Sequence, residues 1–178
     1  ELAPHLQPAI ACHAIACLRA WFMPSSFLDD EQPRDWEQEA RRSVARALEE
    51  APDTAETYLA RAMLGVQLGE WREAVKALVR ALEIAPTYAH AHQYLAQLQC
   101  EAGNTKEGVE RAKMAYALEP SLRVAMLDVA RVHALHGDRD ACDRVLALLD
   151  QTTRFRGPLL QFRVRMAAWF GDLEQIRE

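Results

Sequence analysis

The sequence predicts an all-α protein built from repeated helical hairpins, and three regularities support this prediction. Four glycines recur at one fixed interval (103−69, 137−103 and 171−137 are equal), as Gly69, Gly103, Gly137 and Gly171. Three prolines follow the same interval, at Pro52, Pro86 and Pro120. One further position of the repeat always holds a small residue, namely Ala74, Gly108 or Cys142. An interval of about 34 residues is typical of helix-turn-helix repeats.

Residues 53–86 show the predicted unit most clearly. Asp53 and Glu56 form a capping-box pattern that predicts the start of a first helix. Gly69 predicts its end, and Pro86 ends a second helix. Apolar and small residues at helical spacing are expected to face inward. They are Tyr58, Ala62, Gly65 and Leu68 in the first helix and Trp71, Ala74, Val75, Leu78, Ala81 and Leu82 in the second.

This unit resembles the tetratricopeptide repeat (TPR). The residues that carry the resemblance are Tyr58, Ala62, Gly69, Ala74, Leu78, Ala81 and Pro86. The next unit matches at Ala96, Gly103, Gly108, Ala115 and Pro120. A third keeps Ala130, Gly137 and Leu146 but has Cys142 at the small position and Arg154 in place of proline. The resemblance implies a right-handed superhelix of antiparallel helix pairs, with about four repeats and the start of a fifth.

We expect residues 1–178 to form a single TPR-like domain. It would contain a repeat with an extended turn (6–52), three regular repeats (53–86, 87–120 and 121–154) and a partial repeat (157–178). Because the chain begins at Glu1 and stops shortly after Gly171, we expect it to be a fragment. The extended turn and the helix after it resemble TPR regions of bacterial signalling proteins, namely serine/threonine kinases, adenylate cyclases and winged-helix activators. This second resemblance implies a larger regulatory protein.

Composition limits the classes of function. The 178 residues carry a net charge of −5, which argues against binding nucleic acid through its phosphates. No apolar run reaches the roughly 18 residues that a membrane span needs. The four cysteines form no CxxC pair and are interpreted as packing residues in a reducing, cytoplasmic compartment. They are Cys12, Cys17, Cys100 and Cys142.

Motifs that would indicate catalysis or a cofactor are missing. The sequence contains no GxGxxG, GxxxxGK or GxSxG pattern. His133 and His136 lie three residues apart and could share a metal with Asp140 or Cys142. The preferred interpretation is a hydrogen-bonded histidine inside the helical array. We therefore predict a protein that is not an enzyme and has no cofactor or metal site.

The TPR resemblance implies that the first helix of each unit lines a concave groove. The residues at that position form the candidate partner-binding site, namely Leu59, Met63, His90, Gln93, Gln97, Leu127, Arg131, Gln161 and Arg165. Some TPR domains bind a C-terminal carboxylate through lysines and asparagines at these positions. That clamp is not expected here, where Leu59, Met63, Leu127 and Asp128 stand instead. A basic stretch with Arg154, Arg156, Arg163 and Arg165 is interpreted as a solvated face or a docking patch for an acidic segment.

Two functions are consistent with these observations. The first is a scaffold that binds a protein or peptide ligand in the groove. The alternative is a homo-oligomerisation module of a bacterial signalling protein, in which the amino-terminal helix forms a homodimer through Trp21, Phe22 and Phe27. A small-molecule sensor would need a closed apolar pocket, which open helical arrays seldom provide.

Overall fold

A computed structural model describes residues 6–22, 35–150, 156–172 and 174 of the chain. Over these residues the secondary structure is helical, with nine α-helices and no strand. The helices are α1 (Gln7–Phe22), α2 (Trp36–Glu50), α3 (Ala55–Gln67), α4 (Trp71–Ile84), α5 (Ala89–Glu101), α6 (Thr105–Leu118), α7 (Val124–Leu135), α8 (Arg139–Asp150) and α9 (Arg156–Phe170). Residues 23–34, which belong to the predicted repeat with an extended turn and include Phe27, and residues 151–155, which include Arg154, lie outside the described residues.

The chain divides into two compact units, residues 1–91 (unit 1) and 92–178 (unit 2). In unit 1, α1 packs on α2 and α3, while α3 also packs on α2 and α4. In unit 2, α7 packs on α6, α8 and α9. Helix α5 begins in unit 1 and continues into unit 2, where it packs on α6. Consecutive helices therefore form the contacts expected of helical hairpins.

The glycines that define the repeat interval end helices, as predicted. Gly69, Gly103, Gly137 and Gly171 have φ angles of 74°, 86°, 75° and 81°. At Gly103 the turn is closed by two backbone hydrogen bonds, from Gly103 N to Cys100 O at 3.1 Å and from Asn104 N to Gln99 O at 2.9 Å. A left-handed residue at this position lets the chain reverse between α5 and α6.

Valine at position 103 should destabilise the protein by roughly 1–2 kcal/mol, because a branched side chain at positive φ is strained. A Cβ built at Gly103 meets no atom within 4 Å, so the loss would come from the backbone and not from a clash. Thermal and urea unfolding of Gly103→Val would measure it. The neighbouring exposed position supplies the control, since Ala102→Val keeps the added bulk at a residue without positive φ. Equal losses in the two variants would contradict this explanation.

The start of α3 differs from the prediction by one residue. The N-cap is Thr54, not Asp53: the Thr54 Oγ1 accepts a hydrogen bond from Thr57 N at 3.4 Å. Thr57 is fully buried, and its hydroxyl donates to Ala51 O at 2.8 Å. Asp53 stays exposed in the turn. Aspartate and threonine are both good N-caps, so the residue type alone does not decide between positions 53 and 54. The cap lies at Thr54, where the hydroxyl bonds to Thr57 and Thr57 is buried.

The inward stripe of α4 is narrower than predicted. Ala74, Leu78 and Ala81 are fully buried, but Trp71 and Val75 are 50% and 37% exposed. The prediction for Trp71 and Val75 was wrong. Spacings of both three and four residues were accepted as one helix face, and this made the predicted face wider than the buried one. Trp71 is the first residue of α4, and Val75 follows the stripe residue Ala74 directly. Small side chains at the contact let adjacent helices approach closely.

Candidate partner-binding site

The structure places the nine predicted groove residues in different environments. Leu59 and Met63 are 1% and 2% exposed, so their side chains belong to the packed interior of α3 and offer no surface to a partner. His90 is half-buried, and its ring lies 5.9 Å from that of Tyr88. Gln161 and Arg165 are exposed on α9. The rest, Gln93, Gln97, Leu127 and Arg131, lie on α5 and α7.

Polar residues of α5 and α7 meet in one network within unit 2. Gln93 Nε2 donates to Asp128 Oδ2 at 3.5 Å, which joins the two helices directly. The Arg131 guanidinium lies 3.3 Å from Asp128 Oδ1 and 3.7 Å from Glu101 Oε1. Gln97 Nε2 donates to the same Glu101 oxygen at 3.0 Å. These five residues, Gln93, Gln97, Glu101, Asp128 and Arg131, are called the α5–α7 surface below.

The side chains of the network differ in how far they are buried. Gln93 is 5% exposed and anchors the inner end, whereas Arg131 and Glu101 keep about a third of their side chains in solvent. Leu127 is half-buried beside Asp128. A partner would therefore meet charged and amide groups whose positions are fixed from beneath by a buried glutamine. Such groups lose little conformational entropy on binding.

Asp128 is the electrostatically unusual residue of this surface. Burial raises its pKa from 3.8 to about 6, although Arg131 and the hydrogen bond from Gln93 favour the ionised form. The Glu101 carboxylate adds a smaller upward contribution. Burial and, secondarily, the Asp128 charge also raise the pKa of the nearby Cys100 thiol. A carboxyl group with a strongly raised pKa among exposed polar groups is typical of functional sites.

Sequence reasoning found three members of this surface and did not assign the other two. Glu101 and Asp128 supply its negative charge; Asp128 was named only as a residue that stands in place of the carboxylate clamp, and Glu101 was not named. A signal for Glu101 was present, because it follows Gln97 by four residues on the same helix. The contact of Asp128 with Gln93 joins residues 35 apart. Only the packing of α5 against α7 could reveal it.

The other candidate sites receive less support from the structure. In the basic stretch, Arg163 Nη2 donates to Asp150 Oδ2 at 3.1 Å, which partly neutralises it, and the Arg154 and Arg156 side chains lie outside the described part. His133 Nδ1 lies 3.9 Å from Asp138, and the described residues do not form a metal-ligand group around His133 and His136. None of the helices that the structure describes is long and apolar enough to cross a membrane.

The amino-terminal helix buries its apolar face. Ile10, Ala14 and Leu18 lie inside the core of unit 1, where α1 contacts α2 and α3. Phe22, at the end of α1, remains 48% exposed, and its ring lies 6.4 Å from that of Trp21. A homodimer through α1 would therefore rest on the end of the helix and not on its length.

Comparison with solved structures confirms the all-α, TPR-like fold predicted from the sequence. PilW, described as a widely conserved type IV pilus biogenesis factor, superimposes with a TM-score of 0.73 at 18% identity, over 96% of this chain and 73% of PilW. Two structures of MamA give TM-scores of 0.54 and 0.57 at 18% and 16% identity. They cover 75% and 82% of this chain and 72% of each MamA chain. No family model and no curated protein matches the sequence.

Proposed function

We propose that this chain, which has a TPR-like helical-repeat fold, is a non-catalytic scaffold that binds a peptide or helix of a partner protein at the α5–α7 surface. The observation that carries the proposal is the network in which Gln93 fixes Asp128 while Arg131 and Gln97 share Glu101. The likeness to TPR-like proteins supports protein interaction as the general function. The surface supports a more specific choice of partner.

The chemistry of the α5–α7 surface favours a partner segment with a basic group. Two carboxylates and one guanidinium give the surface a net negative charge when both acids are ionised. The half-buried amide of Gln97 adds a directional hydrogen-bonding group, whereas that of Gln93 is buried and holds Asp128 in place. A lysine or arginine of the partner could pair with Glu101, the more exposed of the two carboxylates, with its neighbouring backbone on the Gln97 amide. A C-terminal carboxylate would instead meet like charge, which agrees with the missing carboxylate clamp.

Charge reversal at Glu101 tests the proposal. Glu101→Arg removes the carboxylate with which the basic group of the partner would pair and puts a like charge in its place. We expect binding of the physiological partner to fall at least tenfold, or about 1.4 kcal/mol. Partners captured by the wild-type chain would be identified by mass spectrometry, and the affinity of each purified partner would be measured by calorimetry.

The matched control is Glu49→Arg, which makes the same charge change at an exposed residue near the carboxyl end of α2. Partner affinity should be unchanged in this variant. Gln97→Ala provides a milder change within the α5–α7 surface and should weaken binding without altering the helix content seen by circular dichroism. A partner that binds all three variants with wild-type affinity would place the binding site elsewhere.

The cellular context is also part of the proposal. From the resemblance to TPR regions of bacterial signalling proteins, we propose a cytoplasmic scaffold within a larger regulatory protein. Cell fractionation with a tagged full-length gene product tests the location. Self-association through the exposed Phe22 is the alternative, and light scattering coupled to size exclusion over a range of concentrations distinguishes it. A dimer that Phe22→Ser converts to a monomer would favour that alternative.

A further inference from the structure

A second cluster of chemically reactive side chains lies between α1 and α2, in unit 1. His13 and Cys17 lie one helical turn apart on α1, and Glu39 reaches the same place from α2. Their potential ligand atoms all lie within 4.8 Å of one another. The Cys17 Sγ is 3.8 Å from His13 Nδ1 and 3.7 Å from Nε2. Thiolate and imidazole ligands of one tetrahedral zinc ion are separated by about 3.5 Å.

A buried hydroxyl orders the two residues on α1. Ser43 of α2 lies 3.3 Å from His13 Nδ1 and donates to the Cys17 Sγ at 3.6 Å. When Nδ1–H donates a hydrogen bond to the Ser43 oxygen, the ring is held in the tautomer whose Nε2 carries the free lone pair. The Ser43 hydroxyl donates its own hydrogen to the Cys17 sulfur. A hydrogen bond to the second ring nitrogen is the usual outer support of a metal-binding histidine.

The cluster lines an open cleft with room for an ion and its water. The cleft has a volume of about 470 Å³ and is bordered by His13, Cys17, Glu39 and Asp35. Cys17 is buried at its inner end, Glu39 is half-buried and His13 is exposed. A metal ion therefore has a path from solvent to a buried sulfur ligand, as a usable site requires.

We propose that His13, Cys17 and Glu39 bind a divalent ion of the zinc class and thereby link α1 to α2. One sulfur, one nitrogen and one oxygen ligand fit zinc, whereas calcium and magnesium prefer oxygen ligands alone. Three protein ligands leave the fourth position for water. The ion would join helices whose connecting segment is the longest between successive described helices, so it would stabilise the amino-terminal pair.

Metal titration of the whole chain tests this proposal. The protein would first be freed of metal with a chelator and then titrated with Zn²⁺ by calorimetry, with bound metal counted by elemental analysis. We expect one zinc ion per chain and a rise in melting temperature. Replacing Zn²⁺ by Co²⁺ should give the near-ultraviolet charge-transfer absorption of a cobalt–thiolate bond. This absorption would show that a cysteine binds the metal, without reference to any partner or activity.

Variants separate the site from adventitious binding. Cys17→Ser should abolish the charge-transfer absorption, while His13→Ala and Glu39→Gln should weaken binding at least tenfold. Ser43→Ala should weaken it by roughly 10–100-fold, as loss of outer support usually does. Glu39 is only half-buried, so Glu39→Gln keeps the test informative even if Cys17→Ser fails to fold.

The controls are other cysteines of the same chain. Cys12→Ser changes an exposed thiol on α1, and Cys142→Ser changes a buried one on α8, so both should bind zinc as the wild type does. Equal zinc affinity in wild type, Cys17→Ser and Glu39→Gln would overturn the proposal. So would the absence of a one-to-one complex with the wild-type chain, or its displacement by a modest excess of Mg²⁺.

Discussion

Replacing Gly108 by alanine will lower the free energy of unfolding by about 2 kcal/mol, although alanine is the better helix former. A Cβ at this position of α6 would overlap with Cys100 Sγ. It would also lie 2.9 Å from Ala96 O and 3.1 Å from Cys100 N, both closer than normal van der Waals contact. The sulfur can rotate away, but the two backbone atoms of α5 cannot. Overpacking of this kind costs about 3 kcal/mol at the upper end of its usual range, and alanine regains about 1 kcal/mol of helix propensity.

Urea unfolding of wild type and Gly108→Ala would measure the difference. The matched control is Gly65→Ala on α3, where the added Cβ would lie 3.3 Å from Ala74 Cβ and 3.4 Å from Ala74 N. That neighbour needs to move only a few tenths of an ångström, so the propensity gain should nearly cancel the cost. Equal stability of the two variants would show that α5 and α6 approach less closely than described.

The stability of the wild-type chain should fall as the pH rises through 6, because of Asp128. Its pKa in the folded chain is about 6, above the 3.8 of an unburied aspartate, so the folded state binds the proton more tightly than the unfolded state. The resulting stabilisation is complete below pH 3.8 and is lost as the pH rises through about 6. The difference between the two pKa values corresponds to about 3 kcal/mol.

Comparison with Asp128→Asn isolates this contribution from that of other carboxyl groups. The asparagine cannot ionise. Between pH 4 and 8 the free energy of unfolding of the variant should therefore not show the fall of roughly 3 kcal/mol that Asp128 causes in the wild type. Unfolding of both proteins in urea at several pH values gives the two profiles. Asp143→Asn, at an exposed residue of α8, should follow the wild type. Parallel profiles for wild type and Asp128→Asn would mean that Asp128 is not buried in solution.

The helical repeat was predictable because the signals that define it are local. A glycine that must adopt positive φ and a proline that cannot continue a helix act on the chain at their own positions. Their recurrence at one fixed interval was therefore visible before any contact was known, as were the small residues Ala74 and Gly108. Local signals also have limits. They predicted Asp53 as the N-cap of α3, whereas the structure has Thr54 there, hydrogen-bonded to the buried Thr57.

The candidate sites depended on packing between helices, which the repeat interval does not encode. One position in the repeat holds Met63, buried in unit 1, and Arg131, partly exposed in unit 2. The hydrogen bond from Gln93 to Asp128 and the contact of Ser43 with His13 join residues 35 and 30 apart, on different helices. The sequence by itself determined the helices and their turns, because these follow from the conformational preferences of neighbouring residues. Only the tertiary structure decided which polar side chains meet, because that depends on how closely each pair of helices packs and on which side chains water can still reach.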